Sequence, residues 1–228
     1  SERLAAAVQI ASEAAHEVKN PLAVIKAGLY YLGRILPADN NEAQKTLSQM
    51  DEATQRAVTY INDLLNFSRP PILKKRKFNI NKMIKKAIDE LPAGIFSNIR
   101  VTQELSNDLP DILADFERLK QVVANLVKNA AEAMEEVRSK KLEVRSEREG
   151  KFVKISVSDT GKGITEKDRK RIFDPFFTTK GKGTGLGLAI CQRIVAAHKG
   201  EIEVASKIGK GTISVVRLPV DYVKKNHG

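Results

Sequence analysis

Four clusters of residues in this chain have the types and spacing to do chemistry. The first is His16-Glu17-Val18-Lys19-Asn20-Pro21-Leu22. An unperturbed imidazole has a pKa of about 6.5, so at neutral pH most of it is an unprotonated nucleophile. Pro21 removes one backbone hydrogen bond and crowds the carbonyl of Glu17, which loosens a helix beside His16. A zinc-binding HExxH helix is excluded, because position 20 is Asn rather than a second His. A lone histidine on a helix shoulder is also what an ordinary solvated surface looks like. These seven residues leave both readings open.

The second cluster is Gln121, Asn125, Asn129 and Glu132, a polar stripe at steps of four, four and three. Asn carbonyls are hard oxygen ligands of the kind Mg²⁺ accepts while keeping most of its waters; a solvated helix face is the plainer alternative. The third is Asp159, which follows Val153, Ile155 and Val157 in the inward phase of an alternating strand. An acid facing an apolar pocket needs a donor, and an adenine amino group is one. Gly161 and Gly163 follow and allow close backbone approach to a flat ligand, although Asp-Thr-Gly is also good turn chemistry. The fourth is Gly183-Thr184-Gly185-Leu186-Gly187-Leu188, opening into a helix. Glycines before a helix N-terminus offer amide N–H groups to phosphate oxygens, and the helix dipole adds to the attraction. Neither the P-loop nor the dinucleotide fingerprint fits this spacing. Between Gly163 and Gly183 lies Phe173-Asp174-Pro175-Phe176-Phe177-Thr178-Thr179-Lys180, a segment long enough to close over a ligand as a lid.

The elements that must position these groups are of two textures. Leu4, Val8, Ala11, Ala15, Val18, Leu22, Ile25, Leu29, Leu32 and Leu36 alternate by four and three, a heptad seam that predicts one long helix ended by Pro37. Leu47, Met50, Thr54, Ala57, Ile61 and Leu64 mark a second helix, and the short connection predicts an antiparallel hairpin. One hairpin cannot cover both seams, so two are expected to pair as a dimeric four-helix bundle through residues 1–70. After Ser68-Arg69-Pro70-Pro71 the pattern becomes mixed. A short strand is expected at Phe78 to Ile80, helices at 81–91 and 115–137, and strands at Ile99 to Leu105, 142–148 and 152–158. A helix from Leu186 to His198 is expected to be capped by Gly200, and a hairpin to turn about Gly209-Lys210-Gly211. The second domain, 71–228, reads as an α/β sandwich.

Composition narrows the classes. The net charge of +11 is uneven: residues 1–68 carry net −2 and residues 69–228 net +13. With no Trp, and no aromatic residue within Lys74-Lys75-Arg76-Lys77, base stacking is unsupported. The basic half is read as facing a polyanionic ligand with phosphates and not nucleic acid. One cysteine, Cys191, rules out an internal disulfide and fits a reducing, cytoplasmic setting. No membrane span or signal peptide is visible. The heptad is already running at Leu4, so an upstream sensor domain and a membrane-anchored parent are compatible with the chain.

HEVKNPL, NLVKNAAEAM, DTGKGI, FDPFFTTK and GTGLGLAI together resemble, in order and spacing, the sensor histidine kinases of bacterial two-component systems, in the nitrogen-regulation style whose box reads HExxNP. The resemblance covers essentially the whole chain. It implies a dimeric helical hairpin followed by an α/β sandwich ATP-binding domain of the gyrase, chaperone and histidine-kinase type. It implies that His16 is the phosphoacceptor, with Glu17 and Asn20 beside it in the catalytic turn. It implies that Asn125 and Asn129 hold Mg²⁺–ATP, with Asn129 on the metal, and that Asp159 takes the adenine amino group. Gly161, Gly163, Gly183, Gly185 and Gly187 would shape the nucleotide site, with Thr184 and Leu186 in the same turn, Phe173, Phe176 and Thr179 in the lid, and Thr212 near the adenine. Many relatives carry a basic residue three positions after the second Asn. Here that position is Glu132, so the family's phosphate contact does not carry over, and Lys128 and Lys180 are the candidates to replace it.

The reaction so implied is transfer of the ATP γ-phosphoryl group to His16 and onward to an aspartate of a response regulator receiver domain. Glu17 can accept from the other imidazole nitrogen and fix the tautomer. Asn20 can orient a water for dephosphorylating the regulator. One rival is an ATPase of the gyrase, heat-shock chaperone and mismatch-repair superfamily, which lacks the HEVKNPL hairpin. The other is a degenerate dimeric scaffold without catalysis, against which every chemical position being present argues.

Overall fold

The computed structural model describes residues 2–37, 39–68, 72–180 and 183–220, with side chains described from residue 18 onward. The chain divides into two compact units, Ser1–Pro70 and Pro71–Gly228.

The first unit is a helical hairpin. Helix α1 spans Glu2–Ile35 and runs through Pro21 without interruption, and α2 spans Asn41–Ser68. Asn40 opens α2 by accepting from the Ala43 N–H at 3.1 Å, a side-chain cap for an orphan donor. Two cross-helix bonds record the antiparallel register: Lys19 Nζ donates to Asn62 Oδ1 at 3.3 Å and Lys26 Nζ to Gln55 Oε1 at 2.9 Å. Each helix covers only part of the other's seam. Leu29, Thr54 and Phe67 are buried, whereas Val18, Ile25 and Leu32 of the seam stay exposed, as do Val24 at 72% and Tyr30 at 70%.

In the second unit a five-stranded mixed sheet is ordered β2-β4-β5-β7-β6, from β2 Arg100–Leu105, β4 Lys141–Glu149, β5 Phe152–Asp159, β6 Glu201–Lys207 and β7 Gly211–Pro219. The β2–β4 pairing is parallel and the other three are antiparallel. Helices α3 Ile80–Asp89, α4 Phe116–Ala133 and α6 Gly187–Ala197 bury apolar side chains, with Val153, Ile155 and Val157 of β5 fully inward. The outward face is a lattice of charge: Arg145 meets Glu104 and Glu143, Lys154 meets Glu147 and Glu149, and Arg217 meets Glu149 and Glu203. Three further short elements are β1 Arg76–Phe78, its antiparallel partner β3 Ile112–Ala114, and α5 Glu166–Arg169.

Three details differ from expectation. The first strand lies at Arg76–Phe78, because Asn79 caps α3 by accepting from the Asn81 and Lys82 N–H groups and so ends the extended run. Helix α4 stops at Ala133, four residues early, where Met134 donates back to Ala131 in a tighter turn. Helix α6 ends in a Schellman motif whose left-handed residue is Lys199 (φ 57°) and not Gly200. Lys199 N–H donates to Ala196 O and Gly200 N–H to Val195 O. Gly200 is needed for another reason: a Cβ there would lie 2.4 Å from Arg217 O.

Candidate functional site

Asp115 starts the site's main helix. It caps α4 through Oδ1, which accepts from the Arg118 N–H at 3.0 Å, while Oδ2 accepts from the Lys74 N–H at 2.7 Å. From there the apolar face of α4 seats Leu119, Val123, Leu126 and Ala130 in the core and leaves the stripe Gln121, Asn125, Asn129 and Glu132 half-buried. The stripe is not a bare solvated face. Asn125 Nδ2 donates toward Cys191 Sγ at 3.7 Å, across to α6. The Lys180 ammonium, from the lid segment, donates to Asn129 Oδ1 at 2.9 Å and Glu132 Oε2 at 2.5 Å. Lys128 is exposed and sits 3.9 Å from Glu132 on the other side.

Asp159 ends β5 at 6% exposure, in the inward phase. It is not waiting for a first donor: Oδ1 accepts from the Gly161 N–H at 2.8 Å, and the Thr212 N–H also donates to the carboxylate. Burial outweighs these bonds and pushes the carboxyl above its usual range. Thr212, paired with Asp159 across the β5–β7 ladder, shares a 2.9 Å hydrogen bond between its Oγ1 and Ser206 Oγ. Ser206 also accepts from the Ile164 N–H at 2.8 Å and so pins the loop that follows Gly163.

The glycines divide by what surrounds them. A Cβ on Gly161 would sit 2.6 Å from Ala133 O, so this glycine lets the loop pack on the end of α4. Gly163 meets Lys207 O in the same way, and Gly183 meets the Thr178 hydroxyl. Gly185, at φ 67°, lies against the backbone of Phe176 and needs both the left-handed conformation and the missing side chain. Gly187 is different: a Cβ there would meet only Asn125 Nδ2, at 4.0 Å, so the fold itself leaves room. Thr184 Oγ1 accepts from the Leu186 N–H at 3.2 Å, and the Leu186 side chain is buried. Among the described residues no side chain caps the start of α6, so the positive end of its dipole is left without a capping acceptor there.

In the lid, Phe173 is half-buried, Phe176 and Thr179 are exposed, and Phe176 holds a positive φ of 66°. The structure thus brings together Asn125, Asn129, Glu132, Lys180 and the Gly183–Gly187 turn, and separately joins Asp159, Gly161, Gly163 and Thr212. His16 and Glu17 lie in α1 with side chains outside the described residues; Asn20, one turn on, is exposed. Two contributors escaped the sequence reading. Cys191 carries no motif, yet its position four residues after Gly187 puts it on the Gly187 face of α6, toward Asn125. Ser206 carries no motif, and only the β6–β7 register places it beside Thr212.

Residues 6–71 match the His Kinase A (phospho-acceptor) domain, and residues 114–222 match the Histidine kinase-, DNA gyrase B-, and HSP90-like ATPase family. Among curated proteins, Sensor histidine kinase ZraS of Escherichia coli (strain K12) is 37% identical over 226 residues, 99% of this chain and 48% of that protein. The chain therefore spans about half the length of this relative. Among solved structures, full-length ShkA in complex with AMPPNP aligns with a TM-score of 0.79 and 26% identity, covering 93% of this chain and 46% of that one. Histidine kinase ThkA aligns twice. Its catalytic domain is 36% identical with a TM-score of 0.58, covering 64% of this chain and 96% of that one. Its complex with response regulator protein TrrA gives 29% identity and a TM-score of 0.69, covering 96% of this chain and 63% of that one. A phosphoacceptor hairpin, an ATP-binding sandwich and relatives matched across both leave one reading of the family: this chain belongs to the sensor histidine kinases.

Proposed function

We propose that this chain transfers the γ-phosphoryl group of ATP to His16 and passes it to an aspartate of a response regulator. The observation that carries the reading is the convergence of Asn125, Asn129 and the lid's Lys180 at the uncapped start of α6, where phosphates would lie. In this reading residues 1–70 form the dimerisation and phosphotransfer domain, and residues 71–228 bind ATP. Asp159, with Thr212 beside it, receives the adenine amino group on acceptor capacity left after two backbone donors. The turn formed by Gly183, Thr184, Gly185, Leu186 and Gly187 lies at the phosphates, with the Gly183 and Leu186 N–H groups given to Lys180 O and Thr184 Oγ1, and Phe173, Phe176 and Thr179 close the lid over the ligand. Gly161 and Gly163 hold the adenine loop in place.

The donor set at Asn129 fits Mg²⁺. Its carboxamide oxygen already faces a cation, the Lys180 ammonium, and is a hard oxygen donor. When bound, the metal would neutralise charge on the triphosphate; Asn129 is the residue of this chain that would hold it. At the other end, a nitrogen of neutral His16 attacks phosphorus, the new N–P bond forms and the bond to the β-phosphate oxygen breaks, releasing ADP. Glu17 accepts a hydrogen bond from the second ring nitrogen and steadies the imidazolium. The exposed apolar seam residues of the hairpin support a homodimer, and the ThkA–TrrA complex supports a receiver domain as acceptor. ATP and a buried free thiol, Cys191, fit the cytoplasm; among the described residues no helix is long and apolar enough to cross a membrane.

Incubation with γ-labelled ATP tests the reading. The label should survive alkali and be lost in acid, as a phosphoramidate is, and His16→Gln should abolish it while nucleotide binding persists. Alkali-stable label on that variant would refute the assignment.

A further inference from the structure

The lid delivers a cation to an acid that looks out of place. Glu132 is the last member of the α4 stripe, in a site read as taking a polyanion, where a carboxylate is repulsive unless neutralised. Lys180 neutralises it, and the lysine is placed by more than a flexible arm. Its N–H donates to Thr178 Oγ1 at 3.1 Å, and its carbonyl accepts from the Gly183 N–H at 3.4 Å. The side chains of Lys180 and Glu132 are 34% and 33% exposed. A charge-assisted bond that is largely out of water is stronger than a surface pair. Lys128, at 3.9 Å, is the looser partner.

An ammonium has three donors, and Asn129 and Glu132 occupy two of them. A terminal phosphate carries more charge than a carboxylate and competes for the same ammonium. We infer that Glu132 is a positioning residue that holds Lys180 for the terminal phosphate of a nucleoside triphosphate, and that the exchange of Lys180 from Glu132 to that phosphate sets the preference for triphosphate over diphosphate. A diphosphate is one phosphate shorter and leaves the ammonium on Glu132. The inference rests on the nucleotide-site reading above and deepens it: the acid at 132 and the lysine at 180 act as a pair in place of a single fixed basic residue.

A double-mutant cycle on the full chain tests it, with ATP and ADP affinities measured by calorimetry in Mg²⁺ and folding checked by thermal melting. Glu132→Gln frees the lysine and should tighten ATP by about threefold to tenfold, with ADP changing by less than about twofold. Lys180→Met should weaken ATP by about tenfold and bring the two affinities together; Lys180→Gln serves if Met misfolds. In the Lys180→Met background, Glu132→Gln should have no effect on ATP. An equal gain for ATP and ADP would reduce Glu132 to general repulsion. A gain that persists without Lys180 would assign the role to Lys128 or to charge alone. Either result overturns the inference. Wild-type protein that binds neither nucleotide would instead overturn the nucleotide-site reading on which it stands.

Discussion

Asp159 is held in a conflict between burial and charge. Its carboxyl is raised chiefly by burial, with the Gly161 and Thr212 amides and the field of Lys180 working the other way. A carboxyl raised on folding adds stability below its unfolded pKa of about 4 and loses it as pH rises through the folded value. At pH 7 the charged form therefore costs stability. Asp159→Asn should melt higher than wild type at pH 7, and that advantage should shrink as pH approaches 4. The same variant should lose at least about tenfold in ATP affinity, since a carboxamide has one accepting oxygen where the carboxylate has two, and the Gly161 N–H already takes one. Calorimetric melts across pH, with nucleotide titrations alongside, read both; a stabilised variant with unchanged ATP binding would detach Asp159 from adenine. Its inward phase was legible because period-two alternation from Val153 onward fixes it. The reason for Gly161 was not: the residue that demands it, Ala133, is remote in sequence and reaches it only through the packing of α4.

Among elements, α4 and α6 are joined at the ends away from the nucleotide motifs. His198 Nε2 accepts from the Asp115 N–H at 2.9 Å, and Nδ1 lies 2.7 Å from Ile194 O. That pair of bonds requires the neutral ring protonated on Nδ1. Burial first, and then Lys75, push the imidazole below its usual range, against the Ile194 bond and Asp115. A depressed histidine contributes stability that is present above its unfolded pKa of about 6.5 and is lost as pH falls through the folded value. The second unit should therefore lose stability between pH 7 and 5, by at most about 1.4 kcal/mol per pH unit from this group. His198→Gln, whose carbonyl can still accept from Asp115, should flatten that slope in urea melts; an unchanged slope would place the titration elsewhere. Long elements with a clear period were legible to within a few residues. Strand β3, Ile112–Ala114, was not, because three residues carry no period and its partner β1 lies far back in the chain. The Schellman turn was misassigned because Lys199, not a glycine, adopts the left-handed conformation.

For the whole molecule, the proposed function would place two activities on one turn of α1. Phosphoryl transfer to His16 needs no amide at position 20, whereas hydrolysis of an aspartyl phosphate needs a water held in line. Asn20→Ala should keep autophosphorylation within about twofold and lose most phosphatase activity toward the phosphorylated regulator, a change of about tenfold or more. Parallel losses would leave Asn20 only shaping the turn before Pro21. The hairpin was legible from its heptads, and the incompleteness of its cover follows from the same seam: Val18, Ile25 and Leu32 stay exposed among the described residues.

Those uncovered residues carry a consequence for how the two units respond to dilution. A unit completed by a second copy is stabilised by mass action, whereas one that buries its own core, as the sandwich does around Val153, Ile155 and Val157, is indifferent to concentration. Thermal scans over a hundredfold range of protein concentration should show one transition that climbs with concentration and one that stays fixed. Removing one methyl-rich side chain from the seam, as in Ile25→Ala, should move only the climbing transition. The amount of this protein present would then set how much phosphoacceptor is assembled, without altering the affinity of the site that binds the nucleotide.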